Sequence, residues 1–124
     1  MAGNGEDQRH FSRIPFDCDV TVIDQTVHWP TQLLDISLNG ALVSRPPEWR
    51  PANGDECQLH IKLHNSNVVI NMERATVAHV TDDRVGFECQ FIDIDSITHL
   101  KRLVELNLGD PELVNRELAA LGNN

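Results

Sequence analysis

Apolar and polar residues alternate along most of the first ninety positions, the period-two pattern of half-buried strands. Ile14, Phe16, Cys18, Val20 and Val22 take the apolar phase of a first strand. Pro15 is tolerated there because the first residue of a strand need not donate to the ladder. A second strand is expected over 27–34 and a third over 40–44, with 35–39 as the turn between them. Pro46-Pro47-Glu48-Trp49-Arg50-Pro51 forms a long connection, closed by Asn53-Gly54-Asp55. Cys57, Leu59, Ile61 and Leu63 mark a fourth strand, and His64-Asn65-Ser66-Asn67 turns the chain back. Residues 68–80 read as one long strand whose phase breaks near Glu73-Arg74, which fits a bulge or bend. Thr81-Asp82-Asp83-Arg84 leads into a last strand with Val85, Phe87, Cys89 and Phe91 inward. Six short alternating strands separated by turns predict a mainly β protein, a closed six-stranded antiparallel barrel.

After the last strand the period becomes helical. Ile97, Leu100, Leu103, Val104 and Leu108 share one stripe, with Asp95 or Ser96 as cap and Gly109 as stop. Asp110-Pro111 starts a second helix, with proline at its first position and Leu113, Val114, Leu118 and Leu121 on its apolar face. Residues 1–8 lack apolar periodicity and are expected to be disordered, and the arm through Arg13 is expected to be mobile without ligand. The domain plan is therefore a disordered N-terminus over 1–8, a barrel with its flexible arm over 9–95, and C-terminal α-helices over 96–122 packed on the barrel.

The chain has 124 residues, 40% of them hydrophobic and 23% charged, which suits one soluble globular domain. No apolar run approaches the roughly twenty residues that span a bilayer, and the N-terminus lacks the apolar segment of a secretory signal. Membrane insertion is not expected, and a cytoplasmic location is. The net charge of −9 argues against DNA or RNA as partner, because such binders carry a broad basic face. A small anion held by a local cluster of arginines remains compatible with it. Cys18, Cys57 and Cys89 are widely spaced, form no CxxC pair and fall on apolar phases, so buried free thiols are expected. His60 and His64, four apart on a strand or its end, do not form a metal site. No catalytic nucleophile–base arrangement, phosphate loop, metal signature or cofactor motif emerges. Trp29 and Trp49 suit either the core or a partner surface.

Two short motifs carry the chemistry. Arg9 and Arg13 form RxxxR on the arm, and Asp35, Ser37 and Gly40 form DxSxxG at a strand turn. Guanidinium forks bind phosphate oxygens bidentately, pair with guanine O6 and N7, and stack on flat rings. A carboxylate accepts from guanine N1–H and its exocyclic amine, a serine hydroxyl donates or accepts, and a glycine lets backbone come close. A plainer reading of the second motif is a turn stiffened by its own side chains.

In this order and spacing, ahead of a β-rich stretch, the two motifs resemble those of PilZ domains, bacterial receptors for the second messenger cyclic di-GMP. The resemblance runs from about Arg9 to the helix after Asp95, and is nearest to small stand-alone PilZ proteins. It implies that Arg9 and Arg13 clamp the nucleotide, that Asp35 and Ser37 bind a guanine, and that Gly40 leaves room for it. Some members add a flat side chain from the long strand before the last turn. His79 stands there, either as a ligand contact or as an exposed strand histidine. Where other members carry extra arginines around RxxxR, this chain has Gln8 and His10. One ligand per chain is therefore expected, with Arg45, Arg50 or Arg84 as further cations the fold can recruit. The expected function is non-enzymatic: a monomeric receptor that binds cyclic di-GMP, with no other cofactor, and relays it to a downstream effector protein by ordering of the arm. The alternative is a barrel adaptor that binds a protein partner without nucleotide.

Overall fold

The computed structural model describes residues 11–64 and 66–122. Among these the chain forms β1 (Ile14–Asp24), β2 (Val27–Ser37), β3 (Gly40–Ser44), β4 (Glu56–Lys62), β5 (Val69–Val80) and β6 (Arg84–Ile92), then α1 (Ile94–Leu108) and α2 (Pro111–Gly122). The strands close into one antiparallel barrel in the order β1-β2-β3-β6-β5-β4, sealed where β4 returns to β1. Closure removes free sheet edges, which would otherwise template aggregation.

The alternation reads through to the core. Cys18, Val20 and Val22 of β1 and Cys57, Leu59 and Ile61 of β4 are buried, while the residues between them face outward or are half-buried. In β5, Ile70 and Met72 point in and then Ala75 and Val77 do, so the phase breaks at Glu73–Arg74 as the sequence predicts. The long connection after β3 folds Trp49 into the core. Its ring lies 6.2 Å from those of both Trp29 and Phe87 in offset stacks, and its indole N–H donates to Asp24 at 3.1 Å. Both tryptophans thus belong to the packing of the barrel, with Trp49 buried and Trp29 half-buried against it.

Three local expectations change. The turn expected over 35–39 is only Leu38–Asn39, because β2 stays paired with β3 through Ser37 opposite Gly40. Asp35 and Ser37 are therefore strand residues. The cap of α1 is Asp93 rather than Asp95 or Ser96. Its carboxylate accepts from Ser96 N–H at 2.8 Å and from the Ser96 hydroxyl at 3.1 Å. The Ser96 amide in particular holds the Asp93 carboxyl below its ordinary range. Phe91, expected inward, is 51% exposed. The ladder from β3 to β6 begins at Gly40 opposite Glu88, so the end of β6 runs past the start of β3 and one side of Phe91 is left uncovered.

α1 packs on β5 and touches β1 and α2. Its buried Ser96 hydroxyl accepts from Asn71 N–H of β5 at 2.9 Å, which hooks the start of the helix to the barrel. Leu100, Val104 and Val114 join the core. Gly109 ends α1 in the left-handed region at φ 69°, and Asp110 caps α2 by accepting from Leu113 N–H. The three thiols are free, with Cys18 and Cys57 buried and Cys89 half-buried. Burial raises them to about 11, 12 and 11 respectively, so none is a thiolate at neutral pH.

Closure also explains Gly40. A methyl group there would collide with the carbonyl oxygen of Phe87 in β6. Gly40→Ala is therefore expected to destabilise the protein by about 1–3 kcal/mol or more, as overpacking does. Urea denaturation measures this, and a wild-type midpoint would mean that β3 and β6 do not approach so closely.

Candidate functional site

Two bulges needed to bend the barrel aim side chains into one cavity. In β2 the pairing slips between Leu33 and Asp35, which turns Asp35 outward beside Leu42 of β3. In β5 it slips between Val77 and His79, so Ala78 and His79 both face the outside. Bulges re-aim side chains in this way. Arg13, one residue before β1, meets them. Arg13, Asp35, Ala78, His79, Arg84 and Phe87 line a cavity of about 670 Å³, within the range typical of small-molecule sites.

The electrostatic centre is the Arg13–Asp35 pair, with Nη2 2.8 Å from Oδ1. Oδ1 is buried, yet among the described residues no donor is aligned to it as a hydrogen bond. The two observations agree once geometry is considered, because the guanidinium sits close as a counter-charge but off the donor axis. Arg13 is 57% exposed, so the pair adds little to stability. What it leaves is a carboxylate oxygen without an aligned donor, covered by a cation that is itself largely exposed.

Of the residues singled out from sequence, Arg13, Asp35, His79 and Arg84 meet at this cavity. Ser37 and Gly40 do not line it. The Ser37 hydroxyl is buried and donates to Asn39 Oδ1 at 2.9 Å, bracing the two-residue turn. Gly40 admits the backbone of β6. Arg9 lies outside the described residues. Arg45 and Arg50 are committed elsewhere: Arg45 donates to the carbonyls of Trp49 and Thr81, each at 3.0 Å, and Arg50 donates to Pro47. Among the described residues no three His, Cys, Asp or Glu side chains group as metal ligands. Nor, among the described residues, is any helix long and apolar enough to cross a membrane.

One element of the site has no signature in the sequence. Glu117 of α2, 7% exposed, accepts from Ser12 N–H at 3.2 and 3.1 Å and from the Ser12 hydroxyl at 2.6 Å. The contact spans 105 positions. It ties the residue immediately before Arg13 to α2. The helical period marks Glu117 only as a charged residue near the apolar stripe of α2. Its partner is visible only once the helix is docked.

Residues 7–106 match the PilZ domain family model, and the chain belongs to that family. Solved structures share the fold. The inhibitor of motility MotI/DgrA of Bacillus subtilis superposes with a TM-score of 0.71 at 19% identity, over 83% of this chain and 52% of that one. This chain thus spans about half the length of that inhibitor. The PilZ domain of CeSA from a cellulose-synthesizing bacterium gives a TM-score of 0.58 at 16% identity, over 79% of this chain and 96% of that one.

Glu117→Ala removes a charged acceptor worth about 1.5–3 kcal/mol per hydrogen bond. Amide exchange at Ser12 should accelerate by about ten- to hundredfold, while β1 and β4 keep their protection. Unchanged protection at Ser12 would mean that the clamp does not hold the arm.

Proposed function

We propose that this PilZ-domain protein is a receptor for cyclic di-GMP that relays binding to a protein partner and carries out no catalysis. The observation that carries the reading is the buried Oδ1 of Asp35. It has no aligned donor among the described residues, and it sits beside Arg13 on a cavity of nucleotide-compatible size. A guanine edge presents two adjacent N–H groups for this carboxylate to accept once Arg13 swings from it to the phosphate beside it, which suits a guanidinium fork. His79 offers a flat ring on the same wall. Arg9, four residues before Arg13, completes the clamp. Ser37 and Gly40 serve the ligand chiefly by holding Asp35 and the hairpin turn in position.

The output follows from the anchoring of the arm. A ligand drawing on Arg13 and Asp35 acts one residue from the Ser12–Glu117 contact, so occupancy of the cavity is transmitted to α2. Ordering of the arm over the nucleotide then changes the face that a downstream effector reads. The family permits a second reading, an adaptor without nucleotide. It draws on the structural work done by Ser37 and Gly40, which accounts for part of the motif without any ligand.

Isothermal titration with cyclic di-GMP decides between them and should saturate at one ligand per chain. Arg13→Ala should weaken binding by about ten- to hundredfold through loss of a charge-assisted contact, with the thermal midpoint nearly unchanged because the residue is largely exposed. Wild-type affinity in that variant would reject the site. Asp35→Ala should weaken binding and narrow the preference for cyclic di-GMP over cyclic di-AMP, measured by competition. An unaltered preference would reduce Asp35 to a counter-ion for Arg13.

A further inference from the structure

We infer that the β5–β6 turn supplies a second half of the nucleotide site, with Arg84 as the cation for the ligand's distal phosphate. This rests on the cyclic di-GMP reading and extends it to residues outside both motifs. A cyclic dinucleotide repeats one guanine–ribose–phosphate unit about a two-fold axis, so a cation on a second element can meet the phosphate on the side away from the arm. Arg13 and Asp35 form one acid–base pair of the cavity. Asp83 and Arg84, on a different element, add a second acid and a second base to its lining.

The turn is held at its base and free at its head. Arg45 donates from its guanidinium to the carbonyls of Thr81 and Asp82, and from its backbone N–H to that of Asp83 at 2.8 Å. Thr81 closes the turn, donating its N–H to Arg84 O at 2.9 Å and accepting from Arg84 N–H at 3.1 Å. The Thr81 hydroxyl also donates to Asp83 Oδ1 at 3.1 Å. These bonds fix the backbone that carries Arg84. Its own guanidinium makes no ion pair or hydrogen bond among the described residues, unlike those of Arg13, Arg45, Arg50 and Arg74; Arg102 and Arg116 are uncommitted too, but of these three only Arg84 lines the cavity. A fixed backbone under an uncommitted guanidinium, at the wall of a cavity that already holds a cation, is a prepared anion contact.

The test titrates wild type, Arg84→Ala, Arg84→Lys and Arg13→Ala with cyclic di-GMP and with monomeric cyclic GMP, each at two salt concentrations. Arg84→Ala should lose about ten- to hundredfold in affinity for the dinucleotide and show a shallower salt dependence. Its affinity for the mononucleotide should stay at the wild-type level. Arg13→Ala should lose affinity for both ligands, and Arg84→Lys should keep most of the dinucleotide affinity because a phosphate accepts a point charge. Wild-type dinucleotide binding by Arg84→Ala overturns the inference, as does an equal loss for both ligands or a lysine variant no better than alanine. Wild-type protein that ignores cyclic di-GMP removes the receptor reading beneath it. That outcome differs from wild-type binding with an indifferent Arg84, which removes this inference alone.

Discussion

Closing six short strands into a barrel is the constraint on which the rest depends. The strands must bend and twist to meet, and the ladder yields at a few positions: before Cys18 in β1, before Asp35 in β2, and at Glu73–Arg74 and before His79 in β5. The slips in β2 and β5 each shift the inward-facing phase by one residue, whereas in β1 Ile14 and Cys18 stay in phase. Asp35 and His79 owe their place at the cavity to two of these slips. The site is therefore a by-product of closure geometry, and the core and the ligand wall are set by one ladder. Phe87 shows the link directly, since its ring stacks on Trp49 inside while the residue also lines the cavity.

The DxSxxG motif divides its labour accordingly. Asp35 faces the cavity, Ser37 braces the hairpin turn, and Gly40 lets β3 and β6 approach. A motif that reads as one binding signature thus combines one residue at the cavity with two that hold it there. The consequence is energetic as well as geometric. Damage to Gly40 acts through packing, whereas damage to Asp35 acts on a half-exposed ion pair of small structural worth.

Charge is organised on the same scale. The protein carries a net charge of −9, yet Arg13 and Arg84 converge on one cavity. An anion approaching from solution meets repulsion over most of the surface and cations at this cavity. Such a field falls off steeply with distance and is sensitive to salt. The helical tail enters through Glu117, whose carboxylate ties α2 to the arm one residue from the cavity cation.

Much of this was legible along the chain. Alternation placed the six strands, including the phase break at Glu73–Arg74, because a half-buried strand needs no information beyond its own pleat. The shift to a 3.6 period, together with Gly109 and Asp110-Pro111, placed both helices for the same local reason. The two motifs pointed to Arg13, Asp35 and the PilZ family. The chain alone could not show that β2 runs on through Ser37, that Phe91 overruns β3, or that Gly40 faces a carbonyl of β6. Those outcomes depend on which strand lies alongside. The Ser12–Glu117 clamp and the placing of Arg84 at the cavity are of the same kind, joining residues far apart in sequence or on different elements. Sequence by itself determined the elements, since periodicity is a local property of side chains. Only the tertiary structure decided which side chains share a cavity, because register and bulges are fixed by neighbours the sequence does not place side by side.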